Sequence, residues 1–205
     1  MNVLVLAPHP DDECIGCGGA LCRHADRGDR VAAVFLTSGE LGLKHLARDR
    51  AWAVREEEAR RAGRILGLAR LEFLRQPDWM LGEHIAGAGR ALRPVLLAER
   101  PELIYVPHRR EWHPDHQAAL PILRAALRGA RGWQPMVRTY EVWTPLAEQD
   151  HVEDITAVMP RKLRALRAHV SQLAGFDYVR AVRGLNAFRG ELAARCRYAE
   201  VFQSA

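Results

Sequence analysis

Short apolar runs alternate with longer amphipathic stretches along most of the chain, and this pattern constrains the fold more than any other feature. The first run, VLVLA at 3–7, has the continuous hydrophobicity of a strand that is buried on both faces. Strands separated by helices form parallel sheets joined by right-handed crossovers. We therefore expect an α/β fold, a Rossmann-like doubly wound and mainly parallel sheet with helices on both faces.

Residue type and periodicity place the individual elements of this fold. Further buried strands are predicted at 31–37, 71–74, 102–107 and 136–143, and a last edge strand at 198–202. Helices are predicted at 15–27, 51–67, 84–99, 115–129 and 160–173, and within parts of 178–195. There is no internal repeat and no linker composition, so we expect a single domain over 1–205.

Composition excludes several classes of protein. The formal net charge is +5, but arginine supplies almost all of the positive charge and is spread along the chain rather than clustered, which argues against a nucleic-acid-binding face. No run approaches the ~20 apolar residues needed to cross a bilayer. The beginning, MNVLVLAPH, lacks the basic segment of a secretory signal, so we expect a cytoplasmic protein without a membrane span.

Two clusters of histidine and acid follow predicted strands. HPDDE at 9–13 comes directly after the first strand, and HPDH at 113–116 follows the fourth strand. Ligands of doubly wound sheets bind beyond the carboxyl ends of the strands, where the first and fourth strands are commonly neighbours. The two clusters are therefore expected to meet in one crevice. Imidazole and carboxylate together suit a divalent ion such as zinc.

Two other interpretations of the first motif are less favourable. Gly16, Gly18 and Gly19 do not complete a dinucleotide-binding fingerprint, and the acids before them would repel a pyrophosphate. Cys14 and Cys17 form a C-x-x-C pair, but the same acids would raise the pKa of a thiol. A redox role for the cysteine pair stays open as a minority alternative.

With both motifs in place, the chain resembles the LmbE-like, or PIG-L, family of zinc-dependent de-N-acetylases. The strongest similarity lies in APHPDDECIGCGG near the start and in HPDH at 113–116. Weaker similarity is present in LTSGE (36–40), REEEARRAGRILG (55–67), FLRQPDW (73–79), KLRALRAHVSQL (162–173) and YAEVF (198–202). The resemblance covers most of the chain and implies the Rossmann-like fold that the strand pattern predicts independently.

The resemblance implies roles for the matched residues. The metal ligands would be His9, Asp12 and His116, holding Zn²⁺, with Fe²⁺ or Co²⁺ as alternatives. The catalytic residues would be Asp11 as general base towards a metal-bound water, His113 as oxyanion stabiliser or proton donor in a cationic form, and Asp115 as the residue that orients His113. The residues lining the sugar pocket would be Glu40, Arg55 and Asp78.

One position departs from the family pattern. Some relatives that act on inositol-linked sugars have a tyrosine two residues before the HPDH motif, and this chain has Glu111 there. Assistance from such a tyrosine, and the inositol-linked substrate, are therefore not implied for this chain.

The resulting hypothesis is a hydrolase that removes an acetyl group from an N-acetylated, glucosamine-type amino sugar or its conjugate. Its partner would be that small molecule, and relatives often self-associate, so a homo-oligomer is one option. Two alternatives stay open: an amidase that cleaves another sugar-linked or thiol-conjugate amide, and a non-catalytic homologue that binds a metal or ligand.

Overall fold

The computed structural model describes residues 1–130 and 132–205, and a seven-stranded sheet runs through it. The strands are β1 (Asn2–Ala7), β2 (Arg30–Phe35), β3 (Arg70–Phe73), β4 (Leu103–Pro107), β5 (Met136–Tyr140), β6 (His151–Asp154) and β7 (Ala199–Ser204). Their order in the sheet is β3-β2-β1-β4-β5-β7-β6. The first five strands pair in parallel, and β7 pairs antiparallel with both β5 and β6. The predicted doubly wound, mainly parallel sheet is confirmed.

Seven α-helices are found among the described residues, and they cover the sheet. They are α1 (Asp12–Asp26), α2 (Arg48–Leu66), α3 (Ile85–Glu99), α4 (Pro114–Leu127), α5 (Met159–Leu166), α6 (Val170–Leu173) and α7 (Tyr178–Arg189). Short 3₁₀ turns lie at Glu40–Leu43 and Leu81–Glu83, and a π-helical turn at Gly190–Ala194 follows α7. Among residues 1–130 and 132–205, no helix combines the length and apolar character needed to span a bilayer.

The two faces of β1 explain its uninterrupted hydrophobicity. Val3, Val5 and Ala7 belong to the core beneath α1, α2, α5 and α7. Leu4 and Leu6 point the other way, into the core beneath α3 and α4. Because side chains alternate across a strand, a strand that is covered on both faces must be apolar at every position.

Several of the later elements differ from the sequence-based prediction. β5 ends at Tyr140 rather than at residue 143, because the backbone N–H groups of 142–144 donate to the carboxylate of Glu111 instead of to a strand. β7 lies inside the sheet and not at its edge, since the short and polar strand β6, which periodicity did not indicate, pairs with its outer side. The helix predicted over 160–173 is divided into α5 and α6.

A buried ion pair joins α1 to the sheet. α1 is broken at Cys17, where φ is −137°, and the carboxylate of Glu200 on β7 accepts from the N–H groups of Gly19 and Ala20, both at 2.7 Å. The Lys162 ammonium donates to Glu200 at 2.6 Å and to the Ile15 carbonyl at 2.8 Å. The ion pair therefore satisfies backbone groups on both sides of the break, in a region where no water reaches either side chain.

We expect Lys162→Met to be strongly destabilising. The change leaves the Glu200 carboxylate buried without its partner, which typically costs about 3–5 kcal/mol. Urea unfolding followed by circular dichroism measures the loss. Lys44→Met is the matched control because Lys44, the other lysine, is exposed. Equal stability of the two variants would contradict the role given to the pair.

Candidate active site

The carboxyl ends of β1 and β4 bring the two histidine–acid motifs together. β1 and β4 are adjacent parallel strands, so HPDDE and HPDH leave the same edge of the sheet side by side. The centroids of the His9 and His116 rings lie 5.3 Å apart, and those of His9 and His113 lie 4.8 Å apart. The two motifs therefore converge in one crevice, as expected from the sequence.

Three donor atoms in this crevice form a triangle. His9 Nδ1, Asp12 Oδ2 and His116 Nε2 are 3.3 Å apart in each of the three pairs. Donors that each lie about 2.0–2.1 Å from a tetrahedral zinc are about 3.3–3.4 Å apart, so the spacing suits that ion. The three residues can therefore hold zinc with one position left for another ligand.

The electrostatics of the triangle also favour a cation. Asp12 is 1% exposed and His116 is fully buried. Burial disfavours the charge on Asp12, but His116 and His9 hold the pKa of its carboxyl well below the usual range. Burial likewise opposes the charge on His116, and Asp12 outweighs it and raises the pKa of His116 to about 9. A buried carboxylate that draws positive charge to itself in this way is suited to bind a metal ion.

Carboxylates lie behind both histidine rings. His9 Nε2 lies 3.1 Å from Asp78 Oδ1 and 3.2 Å from Asp115 Oδ2. His116 Nδ1 lies 3.5 Å from Glu111 Oε2. Each ring thus turns one nitrogen to a carboxylate and the other to the triangle, an arrangement that orients metal-binding histidines in proteins.

Asp115 occupies a different place from the one that the resemblance implies. Its carboxylate contacts His9 and accepts from the backbone N–H groups of Trp79 at 2.8 Å and Leu81 at 3.0 Å. Only its own backbone N–H reaches His113, donating to Nδ1 at 3.2 Å. His113 is the N-cap of α4, since its side chain accepts this hydrogen bond.

His113 lies beside the triangle. Its ring is neutral and does not have the positive charge expected from the sequence. Burial, and then the proximity of His9 and His116, lower the pKa of His113 to about 4. In the neutral ring, Nδ1 accepts the hydrogen bond from Asp115, so the proton is on Nε2. His113 therefore presents an N–H donor near the three donor atoms.

Asp11 is held in a strained conformation with its carboxylate free. Its φ is 122°, in the region that favours glycine, and its backbone N–H donates to Glu13 Oε2 at 3.0 Å. It stands at the N-cap position of α1, but within the described residues its side chain makes no capping hydrogen bond. Burial raises the pKa of Asp11 to about 6, while Arg55, 3.6 Å away, opposes the shift. A capping role therefore does not explain this residue.

A cavity of about 320 Å³ opens onto this group of residues. Its walls include Arg55 and Asp78, two of the residues that the resemblance assigns to the sugar pocket. Arg55 donates to the Pro10 carbonyl at 2.6 Å, and its Nε and Nη1 have no hydrogen-bond partner in the part of the chain that the structure describes. Glu40 is not among the described lining residues, because its carboxylate accepts from Trp52 Nε1 at 3.0 Å.

Sequence reasoning missed part of the cavity wall. Trp143 and Tyr178 line the cavity together with Trp79, and neither belongs to a recognised motif. Trp143 lies three residues beyond the end of β5, at the same edge of the sheet as the two motifs. Its position after a strand was therefore the feature of the sequence that could have placed it near the site. Tyr178 begins α7, and its neighbours in sequence carry no such signal.

The surroundings of Cys14 and Cys17 disfavour a redox role for this pair. Cys14 and Cys17 are fully buried in α1, and burial raises the pKa of both thiols well above the usual range. Cys14 Sγ donates to Glu13 Oε1 at 3.2 Å. The thiol thus helps to position Glu13, whose carboxylate accepts from the backbone N–H of Asp11. A thiolate nucleophile is disfavoured in such surroundings.

Comparison with known proteins gives consistent matches. Residues 4–127 match the family model described as "PIG-L: GlcNAc-PI de-N-acetylase". The chain is 31% identical to diacetylchitobiose deacetylase of Thermococcus kodakarensis over 191 residues, which cover 83% of this chain and 70% of that protein. It is 30% identical to the probable N-acetyl-alpha-D-glucosaminyl L-malate deacetylase 2 of Bacillus anthracis, with coverage of 84% and 82%. The crystal structure of the conserved protein TT1542 of Thermus thermophilus superposes with a TM-score of 0.83 at 32% identity, covering 100% of this chain and 94% of that one.

Asp115→Asn is expected to weaken the binding of zinc by about 10–100-fold, the range typical when a carboxylate behind a metal-binding histidine is removed. The amide cannot hold the His9 ring as a carboxylate does. Titration against a chelating dye measures the affinity. Asp150→Asn is the matched control, since Asp150 also accepts a backbone hydrogen bond, from Ser204, but is exposed. Unchanged zinc affinity of the Asp115 variant would show that His9 does not depend on this carboxylate.

Proposed function

The chain belongs to the PIG-L family, and from this premise we propose that it is a metal-dependent hydrolase that removes the acetyl group from an N-acetylglucosamine-type sugar. The observation that carries the proposal is the triangle of three donor atoms at 3.3 Å spacing, next to an Asp11 carboxylate that caps no helix. The deacetylase names of the relatives supply the reaction class and the sugar.

We assign the metal ion to His9, Asp12 and His116. When bound, the ion polarises the acetyl carbonyl and lowers the pKa of a water molecule, which are the two functions of zinc in amide hydrolysis. Two neutral imidazoles and one carboxylate leave the ion with a net positive charge, as a Lewis acid requires. The same donors accept Fe²⁺ or Co²⁺, with zinc favoured by the tetrahedral spacing.

Asp11 acts as the general base. Its carboxylate accepts the proton from the attacking water, because it lies beside the ligand Asp12 and makes no capping bond. Glu13 holds its backbone in the strained conformation, and Arg55 faces its carboxylate from 3.6 Å. The strain places the carboxylate towards the cavity instead of over the N-terminus of α1.

His113 stabilises the developing negative charge. The Nε2–H group of the neutral ring donates to the carbonyl oxygen as that oxygen becomes an oxyanion. The hydrogen bond from the Asp115 backbone to Nδ1 fixes the tautomer that this donation needs. After attack, Asp11 returns its proton to the departing sugar amine, so that the amine leaves in a neutral form.

Arg55 and Asp78 hold the sugar in the 320 Å³ cavity. The unpartnered guanidinium nitrogens of Arg55 are buried at its wall and can donate to sugar hydroxyls. Asp78 is engaged with His9 and with the Leu41 N–H at 2.9 Å, so it connects the sugar pocket to the metal ligands. Glu40 takes part indirectly, by holding Trp52 and the segment that carries Asp78.

We expect Asp11→Asn to retain the metal ion and to lose about 10²–10⁴-fold in kcat for acetate release, the usual contribution of a general base. The amide has the shape of the carboxylate but cannot accept the proton. Acetate release from N-acetylglucosamine and its glycosides, measured alongside metal content, checks both parts. Turnover of the variant at the native rate would contradict the assignment of the base.

His116→Ala is expected to abolish stoichiometric zinc binding, because two donors remain of three. Metal analysis of the purified variant, with circular dichroism to confirm folding, is the measurement. Asn186→Ala is a control at a buried polar residue outside the cavity wall. A folded His116 variant that still binds one zinc tightly would overturn the ligand set. Stoichiometric zinc without hydrolysis of any N-acetyl sugar by the native protein would instead favour a binding protein.

A further inference from the structure

A second cavity adjoins the 320 Å³ cavity and has a different chemical character. Its volume is about 560 Å³, and no charged side chain is found among the described residues that line it. The two cavities are adjacent, since four aromatic residues line both: Trp79, Trp143, Phe176 and Tyr178. The rest of its wall is apolar and includes Ile15, Trp112, Val142 and Leu185. We call this space the aromatic cavity.

Several aromatic rings in this wall are exposed and nearly parallel. The centroids of Trp112 and Trp143 lie 5.0 Å apart with an interplanar angle of 30°, and those of Trp143 and Tyr178 lie 6.4 Å apart with an angle of 11°. Trp112 is 56% exposed and Phe176 is 68% exposed. A cluster of exposed aromatic side chains at the mouth of a polar site is typical of a surface that a ligand covers.

The aromatic cavity lies directly beside the residues that perform the chemistry. The Trp79 ring is 4.4 Å from the His113 ring, and the Trp143 ring is 5.6 Å from the rings of both His113 and His116. In an N-acetylglucosamine, the acetamido group is on C2 and any aglycone is attached through C1, the neighbouring carbon. A sugar with its acetyl group at the triangle therefore places its C1 substituent close to these rings.

We propose that the aromatic cavity binds an aryl group joined to C1 of the N-acetylglucosamine, so that the substrate is an aryl-type glycoside. This inference rests on the proposed function and names its substrate class. The described wall offers a second sugar no charged side chain that could bind its hydroxyls, whereas an aryl group needs none. A flat ring is favoured over an alkyl chain because it stacks on the parallel rings in the offset or edge-to-face geometries that aromatic pairs prefer.

The first experiment compares substrates of the zinc-loaded enzyme by acetate release: both anomers of the phenyl, methyl and octyl glycosides of N-acetylglucosamine, and diacetylchitobiose. We expect the better phenyl anomer to exceed the corresponding methyl glycoside by about tenfold in kcat/KM, mainly through KM, as stacking of one ring implies. A phenyl glycoside no better than the methyl glycoside would overturn the proposal. So would an octyl glycoside or diacetylchitobiose that exceeds the phenyl glycoside.

A matched pair of variants locates the effect. Phe176→Ala removes an exposed ring from the wall of the aromatic cavity, and Phe188→Ala removes a ring that is 56% exposed and outside that wall. The ratio of kcat/KM for phenyl to methyl glycoside should fall by about threefold in the first variant and stay native in the second. An equal ratio in both variants would contradict the assignment.

A measurement of product binding distinguishes failure of this proposal from failure of the proposed function. Intrinsic tryptophan fluorescence of the native protein is titrated with phenyl and methyl glucosaminide, the two deacetylated products. We expect the phenyl compound to bind about tenfold more tightly, whether or not the protein hydrolyses any substrate. Equal affinities for the two compounds would overturn the proposal that the aromatic cavity binds an aryl group, even if deacetylation is found. Tighter binding of the phenyl compound without any deacetylation would support the assignment of the aromatic cavity and would reject the proposed function.

Discussion

The site depends on one buried carboxylate, that of Asp12, which lies 3.3 Å from a nitrogen of His9 and from one of His116. A carboxylate at 1% exposure is costly unless positive charge compensates it. Two histidines from motifs about a hundred residues apart in sequence supply part of the compensation, and a divalent ion within the triangle would supply the rest. The convergence of β1 and β4 in the sheet is what makes this possible, because it brings both motifs to one edge.

The carboxylates that support the histidines also build the cavity walls. Asp115 faces His9 and accepts from the backbone of Trp79, so the orientation of a ligand and the position of an aromatic wall depend on one side chain. Glu111 faces His116 and accepts from the backbone of 142–144, which carries Trp143. Burial disfavours the charge of Glu111, but the nearby His108 and His116 rings and the hydrogen bond from the Val142 N–H lower the pKa of its carboxyl to about 2. Glu111 therefore connects the candidate metal site to the wall of the cavity.

The sequence predicts those parts of the fold and site that depend on local pattern. The continuous hydrophobicity of 3–7 identifies a central strand, and the position of His9 and His116 after neighbouring strands predicts that they meet. The strand at His151–Asp154 could not be predicted, since its pairing with β7 is decided by a partner distant in sequence. The same holds for Asp115, whose carboxylate is turned to His9 by contacts with Trp79 and Leu81 rather than to the adjacent His113.

The most direct test of the central claim is the position of zinc in crystals of the zinc-loaded protein, measured by anomalous diffraction at the zinc edge. We expect one strong peak about 2.0–2.1 Å from His9 Nδ1 and His116 Nε2 and about 2.0–2.2 Å from the Asp12 carboxylate. A peak elsewhere, for example among the buried side chains of Glu13, Cys14 and His169, which also cluster closely enough to hold an ion, would contradict it. So would well-ordered crystals in which the triangle binds no zinc.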